Sequence, residues 1–273
     1  MTKPILILGG RGKTGSRVAD RLAARGLPVR LASRSTGFDW TERSTWAAAL
    51  EGAASAYITY YPDIAIKGAA DTVGALAELA VSLGVRRLVL LSGRGEPEAQ
   101  RAEQQVLATN AEWTVVRGSW FNQNFDEGQF LEMVLGGEVA LPVDTVREPF
   151  VDADDIADVV VAALTDRRHI GEIYEVTGPR LLSFAEAVAE INRAAGTAVR
   201  FRTMPAHEFL DWLAHSEVPD EIAGLLEELF SVVLDGRNES LADGVERALG
   251  RQPRDFADFA REAAARGAWR QAA

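Results

Sequence analysis

Glycines near the start of the chain have the spacing of a phosphate-binding turn. Gly9, Gly12 and Gly15 directly follow the apolar run 5–8 and directly precede an amphipathic stretch. This order predicts a buried strand, a glycine turn and a helix. Glycine lets the backbone turn tightly and approach a ligand, and the N–H groups at a helix N-terminus attract an anion. The pattern therefore predicts a pyrophosphate site, and a plain strand-to-helix turn is the alternative.

The end of the second predicted strand indicates which dinucleotide is bound. Residues 29–33 form this strand, and Arg34 follows it. An acidic residue here would hold a ribose 2′-hydroxyl, whereas an arginine suits a 2′-phosphate. The planar guanidinium matches phosphate geometry, and Ser33 adds a hydroxyl group. We therefore expect NADPH to be preferred over NADH, with an ordinary surface arginine as the alternative.

Other strand ends supply the remaining candidates, because the carboxyl ends of parallel strands face the ligand crevice. The segment 35–40 is expected to contain a compressed third strand and to pass the adenine. Tyr60 and Tyr61 end the next strand and are candidates for the pocket wall or for ordinary packing. The predicted cofactor-binding residues are Gly9, Gly10, Arg11, Gly12, Lys13, Thr14, Gly15, Ser33, Arg34, Asp39, Trp40, Thr59, Tyr60, Ser92, Trp120 and Phe121.

Aromatic and amide side chains alternate in the stretch 118–125, just after the predicted strand 112–117. Apolar walls with a few orienting donors suit a nicotinamide and a flat organic substrate. The alternative is a packed loop beneath a second domain. The catalytic residue itself stays unknown, and the candidates are Ser92, Trp120 and Asn124.

Several kinds of catalytic arrangement are missing from the sequence. None of the four tyrosines is followed four residues later by a lysine, so the tyrosine–lysine pair of many reductases is absent. No serine–histidine–aspartate arrangement or P-loop presents itself. Asp152, Asp154 and Asp155 precede an apolar-periodic helix, which favours helix capping over metal binding. No metal site is therefore predicted.

Composition restricts the partners. The 273-residue chain has a formal net charge of −11, which argues against nucleic acid as a partner. It contains no cysteine, so redox chemistry must come from a bound cofactor. No stretch approaches the length of a transmembrane helix, and the first strand begins almost at once, so we expect a cytoplasmic protein with no membrane partner. A small hydrophobic molecule is the expected substrate, and the protein is expected to be a monomer or a homodimer.

Strands and helices alternate regularly through the first 120 residues. This predicts an α/β fold, a Rossmann-like doubly wound parallel sheet with a smaller, mostly helical C-terminal substrate domain. Residues 1–125 are predicted to form the dinucleotide-binding domain, to which 148–180 return. Residues 126–147 and 181–273 are predicted to form the smaller cap domain.

Several blocks of sequence resemble the NmrA-like family of atypical short-chain dehydrogenase/reductases, and within it the branch of the festuclavine and agroclavine dehydrogenases. The likeness spans nearly the whole chain. The residues that carry it are Gly9, Gly12, Gly15, Arg34, Phe38–Trp40, Leu91–Glu96, Trp113–Arg117, Asn124–Phe125, Glu148–Asp152, Thr177–Arg180 and Gly250–Phe256.

The resemblance implies NADP(H) binding and hydride transfer. That branch reduces iminium-type carbon–nitrogen double bonds. A hydride added to a cationic iminium gives a neutral amine without a proton donor, which agrees with the missing tyrosine. The resemblance thus predicts an NADPH-dependent oxidoreductase acting on a small, hydrophobic, cyclic iminium, enone or quinone. The alternative is a non-catalytic, NADP-binding redox sensor of the NmrA type.

Overall fold

Residues 3–215 and 219–270 are described by a computed structural model, and they divide into two units. The first unit contains the chain up to residue 118 together with 153–176 and 243–251. The second contains 119–152, 177–242 and the chain from 252 onwards. These boundaries differ from the predicted ones chiefly at 119–125, which belong to the second unit, and at 243–251, which belong to the first.

The first unit is built on a six-stranded, fully parallel sheet, which confirms the Rossmann-like α/β fold. The apolar runs found in the sequence form its strands because both faces of such a sheet are buried. In chain order the strands are β1 (Ile5–Leu8), β2 (Val29–Ala32), β3 (Ser55–Ile58), β4 (Arg87–Gly93), β5 (Glu112–Gly118) and a sixth strand at Glu172–Val176.

Helices flank this sheet. Leu6, Leu8, Ile58 and Leu90 point from one face into a buried cluster with the helices that follow β2, β3 and β4. The helices of the first unit are α1 (Lys13–Ala24), α2 (Trp46–Leu50), α3 (Ala69–Ser82), α4 (Pro97–Leu107) and two later helices at Ala153–Thr165 and Gly244–Leu249.

The order of the strands places a switch point beside β1. The spatial order is β2, β1, β3, β4, β5 and then the strand Glu172–Val176. The chain therefore runs from β1 to β2 on one side and then crosses to β3 on the other. In open parallel sheets, ligands bind in the crevice at the carboxyl ends of the strands where the order reverses. The glycine turn after β1 lies at this point.

The prediction of a compressed third strand within 35–40 is wrong. Residues Arg34–Thr36 form a 3₁₀ turn, and Gly37 ends it with a φ of 88°. The Thr36 hydroxyl accepts a hydrogen bond from the Ser33 N–H and lies 3.0 Å from the Ser33 carbonyl oxygen. These local bonds satisfy backbone groups that a strand would have to pair elsewhere.

The second unit is mostly helical, with two small sheets that the sequence did not reveal in full. Strands β6 (Glu138–Leu141) and β10 (Arg200–Thr203) pair in parallel, and β7 (Arg147–Glu148) and β9 (Leu182–Ser183) pair antiparallel. The elements that complete the chain order are α5 (Leu131–Leu135), β6 (Glu138–Leu141), β7 (Arg147–Glu148), α6 (Ala153–Thr165), β8 (Glu172–Val176), β9 (Leu182–Ser183), α7 (Phe184–Ala195), β10 (Arg200–Thr203), α8 (Ala206–His215), α9 (Asp220–Glu228), α10 (Gly244–Leu249) and α11 (Phe256–Arg266).

Phenylalanine rings fill the core of the second unit. Phe125, Phe150, Phe184 and Phe256 are buried and lie in edge-to-face or tilted contact with one another. The Trp269 indole N–H closes this core by donating to the Phe125 carbonyl oxygen at 2.8 Å. Aromatic pairs of this kind add roughly 0.5–1.5 kcal/mol each beyond the area they bury.

The aspartates at the start of α6 bind arginines of the first unit. Asp154 accepts from Arg17 and Arg21 of α1, and Asp155 pairs with Arg251 at 2.7 Å. These pairs hold α6 beside α1. Among the described residues, no group of three or more His, Asp or Glu side chains is arranged to hold a metal ion.

Among the described residues, no helix has both the length and the apolar composition that crossing a bilayer requires.

The fold makes a prediction about Gly244, the first residue of α10. A Cβ atom there would overlap the carbonyl group of Glu175 in β8, whereas a Cβ at the helical Gly224 would meet open space. We expect Gly244→Ala to lower the free energy of unfolding by about 1–3 kcal/mol, because rigid backbone must move. Gly224→Ala should raise it by up to about 1 kcal/mol. Urea denaturation of both variants measures this, and equal midpoints would contradict the packing of α10 on β8.

Candidate functional site

The glycine turn after β1 is shaped by direct backbone packing. Gly9 has a φ of 68°, and a Cβ atom on it would overlap the Thr59 hydroxyl. A Cβ on Gly15 would overlap the carbonyl group of Gly9, and one on Gly10 would lie 2.7 Å from Leu31 Cδ2. The Gly12 N–H donates to the Gly9 carbonyl at 2.8 Å. Three of the four glycines therefore leave no room for a side chain.

The turn leads directly into the N-terminus of α1. Gly12 is the capping residue and has no side chain with which to cap the helix. The first turn of α1, Lys13–Ser16, contains no acidic residue. A helix N-terminus carries a partial positive charge and N–H groups without intrahelical partners. This end of α1 therefore suits an anion.

Two hydroxyl groups fix the turn to β3. The Tyr57 hydroxyl donates to Thr14 Oγ1 at 3.0 Å within the buried interior, and burial raises the pKa of Tyr57. The Thr59 hydroxyl donates to the Leu8 carbonyl at 2.9 Å. The ends of β1 and β3 are thus joined on either side of the switch point. Sequence reasoning missed the role of Tyr57, although its position in a buried strand, two residues before Thr59, was visible.

Basic side chains surround the turn. Arg11 is exposed, and Lys13 is half-buried. Burial raises the pKa of the nearby Asp63 carboxyl, and the Ala65 N–H and the charge of Lys13 act against that rise. The positive charge of Lys13 therefore acts on the Asp63 carboxylate.

Arg34 stands at the carboxyl end of β2, where the sequence placed it. Its side chain is exposed, and its guanidinium carbon lies 5.0 Å from the centre of the Tyr61 ring. Two hydrogen bonds from Thr41 lower the pKa of Asp39, and the charge of Arg34 lowers it further. An exposed cation is thus held beside the strand end.

Trp40 and Tyr60 form part of an aromatic group at the same edge. Their ring centres are 4.9 Å apart, and Trp40 also contacts Phe38 and Trp46 at 5.3 and 6.0 Å. Trp40 is buried, whereas Tyr60 is half-buried. Most of the surface of the Trp40 side chain is therefore covered by neighbouring residues of the protein. The predicted contact of these two residues with cofactor stays a prediction.

Ser92, near the end of β4, has its hydroxyl engaged within the first unit. It is 3% exposed, and its Oγ donates to Glu103 Oε1 at 2.5 Å. Its proton therefore points to a carboxylate on α4. Glu103 was absent from the predicted site, and its position on the buried face of the helix after Ser92 is the signal that was available.

Trp120, Phe121 and Asn124 lie in the second unit. The half-buried Trp120 ring stacks on Phe130 at 6.0 Å. Phe121 forms a parallel bridge with Val151. Asn124 is 7% exposed. Within their own unit these residues have the environment of a packed loop, and the predicted contacts of Trp120 and Phe121 with cofactor, and the catalytic candidacy of Trp120 and Asn124, stay predictions.

The first unit therefore brings together the predicted residues from 9 to 15, 33 to 34, 59 to 60 and 92 at the carboxyl edge of one sheet. A dinucleotide fits this arrangement in two respects. The glycine turn provides a backbone surface free of side chains next to a positive helix end, which suits a pyrophosphate. Arg34 lies one strand away, where the ribose of a dinucleotide is expected.

Known proteins resemble this chain in sequence and in fold. The model of the NmrA-like family matches residues 101–260, more than half of the chain. The uncharacterized oxidoreductase YesF of Bacillus subtilis is 32% identical over 270 residues, covering 94% of this chain and 94% of that protein. The agroclavine dehydrogenase of Claviceps fusiformis is 29% identical and covers 93% of this chain and 95% of its own length. The resemblance to clavine dehydrogenases is thus confirmed.

A solved structure shares the fold. The triphenylmethane reductase of Citrobacter, complexed with NADP(H), superposes with a TM-score of 0.74, covering 95% of this chain and 99% of that one at 16% identity. At this identity the likeness concerns the fold alone. The family match and the 32% identity to an oxidoreductase agree with this fold. The chain belongs to the NmrA-like family and is an oxidoreductase of that type.

Proposed function

We propose that this oxidoreductase uses NADPH to reduce a small, hydrophobic, cyclic substrate. The single observation that carries the proposal is the turn at the switch point, where Gly9 and Gly15 leave bare backbone beside the N-terminus of α1. A nicotinamide dinucleotide supplies a hydride when bound. The chain itself supplies the binding surface, the orientation and the exclusion of water.

The first unit provides the proposed dinucleotide contacts. N–H groups of the turn and of the first turn of α1 bind the pyrophosphate, with Arg11 and Lys13 adding positive charge. Arg34 binds the 2′-phosphate, because its guanidinium is exposed at the end of β2 and is positioned by the Tyr61 ring. Ser33 contributes its hydroxyl, which lies 2.9 Å from the hydroxyl of Ser35.

The lack of a tyrosine–lysine pair, together with the burial of two of the four tyrosines, favours a substrate that needs no proton from the protein. Tyr57 and Tyr174 are buried, and their hydroxyls are engaged with Thr14 and His169. Burial raises the pKa of both phenols. No tyrosine in the sequence has the lysine partner that would lower its pKa. An iminium carbon accepts a hydride and becomes a neutral amine, so it suits such a site. An enone or quinone would take its proton from solvent.

The second unit is proposed to bind the substrate. Trp120 and Phe121 offer aromatic surface and Asn124 offers an amide, a combination that binds flat organic rings. Hydride transfer requires the two reacting rings in close and ordered contact, so such residues act by positioning. The oxidoreductases among the relatives favour this enzymatic interpretation over a non-catalytic sensor.

The proposal is tested by NADPH oxidation, followed at 340 nm, with a panel of cyclic iminium ions, quinones and enones. We expect turnover with at least one class and faster turnover with NADPH than with NADH. A chain that binds NADPH but consumes none with any of the three classes would contradict the enzymatic proposal and favour the sensor. A chain that binds neither dinucleotide would contradict the cofactor site itself.

Replacement of Gly15 tests the turn. In Gly15→Ala the new methyl group collides with the Gly9 carbonyl, so the turn must open. We expect the Kd for NADPH, measured by fluorescence titration, to rise at least about tenfold, or about 1.4 kcal/mol. Gly224→Ala is the control, since its methyl group meets open space. An unchanged Kd in Gly15→Ala would show that the dinucleotide binds elsewhere.

Reversal of charge at Arg34 tests cofactor preference. We expect Arg34→Glu to weaken NADPH binding about 100-fold and NADH binding by less than about threefold, because a charge-assisted bond to phosphate becomes a repulsion. Arg43→Glu is a matched control, since Arg43 is also exposed and lies over an aromatic ring, that of Trp46 at 5.4 Å. Equal losses for the two dinucleotides in Arg34→Glu would contradict the assignment.

A further inference from the structure

A row of polar side chains crosses three strands of the first unit just before the carboxyl edge of the sheet. Ser92 of β4 is in register with Arg117 of β5, and Arg117 is in register with Glu175 of β8. Ser92 continues the sheet face of Leu88 and Leu90, which α4 covers. The polar row therefore lies beneath α4, one residue from the end of each strand.

Glu103 of α4 binds two members of this row, Ser92 and Arg117, from the covering helix. It is 1% exposed, and its carboxylate accepts three hydrogen bonds, one from Ser92 Oγ at 2.5 Å and two from Arg117 at 2.9 and 2.5 Å. The guanidinium thus holds the carboxylate through two nitrogens, which fixes distance and orientation together. A buried carboxylate with this set of donors is satisfied, and removing its charge leaves Arg117 partly uncompensated.

The hydrogen bonds of Glu103 and Arg117 continue, through Glu175, to Arg94 in the segment that follows β4. Arg117 also donates to Glu175 at 2.5 Å, and Arg94 donates to the other oxygen of Glu175 at 3.3 Å. The Arg94 N–H donates to the Gly118 carbonyl at 2.9 Å. Residues 92–95 are therefore fastened at two points, at the Ser92 hydroxyl and at Arg94. Arg94 is 9% exposed, so this fastening is largely shielded from water.

Glycines shape the backbone of the same segment. Gly93 leaves the space that the Glu96 carboxylate occupies, and Gly95 has a φ of 75°, which favours glycine. The hydrogen bonds of Ser92 and Arg94 therefore fix this segment, and a displacement of α4 or β5 reaches residues 92–95 through them.

We propose that Glu103 is a positioning residue, which holds residues 92–95 in place at the reactive end of the cofactor site by binding Ser92 and Arg117 at once. This inference rests on the proposed function, and on the prediction that Ser92, near the end of β4, lies at the site of hydride transfer. Glu103 touches neither cofactor nor substrate in this scheme. It acts through Ser92 and Arg94, and hydride transfer depends steeply on such placement.

The test compares Glu103→Gln with Glu112→Gln. Glu112 and Arg87 are also neighbours in register on β5 and β4 and form an ion pair at 3.1 Å, but at the opposite, amino ends of these strands. We expect Glu103→Gln to lower kcat for NADPH oxidation at least about tenfold, with the Kd for NADPH changed less than about twofold. Glu112→Gln should change neither value by more than about twofold.

Hydrogen–deuterium exchange supplies a readout that needs no turnover. In Glu103→Gln we expect the amides of residues 92–95, including the Arg94 N–H, to exchange at least about tenfold faster, while those of the glycine turn are unchanged. Glu112→Gln should leave 92–95 as in the wild type. Unchanged exchange at 92–95 in Glu103→Gln would overturn the inference, whether or not a substrate for the enzyme has been found.

A second variant covers the case in which Glu103→Gln does not fold. Arg117→Lys keeps the charge but loses the two-nitrogen contact with Glu103, so the same loss of kcat and the same faster exchange are expected. A rise in the Kd for NADPH that matches the loss of kcat would show that the network supports cofactor binding and would overturn the positioning role. Wild-type protein that shows no turnover contradicts the proposed function, while the exchange result still decides whether Glu103 holds the segment.

Discussion

The close approach of β1 and β3 at their carboxyl ends is the constraint on which the proposed cofactor site depends. The Thr59 hydroxyl occupies the space that a side chain at residue 9 would need, and it binds the Leu8 carbonyl in the same place. A side chain at residue 9 is therefore excluded, and the positive φ of Gly9 is a second reason for glycine at this position. Gly15 then packs against the Gly9 carbonyl. The start of α1 is fixed by backbone contact, which is stiffer than contact between side chains.

Charged groups fix the carboxyl ends of the neighbouring strands β4, β5 and β8. Arg117 links Glu103 to Glu175, and Arg94 continues the connection to the segment after β4. Such groups add little net stability when buried, because desolvation offsets most of the attraction. They do restrict geometry, since each guanidinium accepts only a few arrangements of its carboxylates. The two ends of the proposed site are thus held in different ways, one by backbone packing and the other by buried charges.

Much of the first unit could be predicted because its signals are local. Four apolar residues before a glycine turn define β1 and the start of α1, and Arg34 stands where the strand pattern placed it. The 3₁₀ turn at Arg34–Thr36 escaped prediction because the Thr36 hydroxyl, bonded to both backbone groups of Ser33, settles it. Strand β10 escaped because its pairing with β6 joins residues some sixty positions apart. The partnership of Ser92 with Glu103 needs the register of the folded sheet, which no single segment contains.

The path of the chain between the units has a consequence for how the protein is made. The boundary is crossed five times, and the last return to the first unit is made by residues 243–251. There α10 packs on β8, with Gly244 against the backbone of Glu175, and Arg251 binds two aspartates of α6. A ribosome must therefore release the chain through residue 251 before the first unit has all its parts. Neither half corresponds to a continuous piece of the gene, so the two cannot be inherited or exchanged as separate modules.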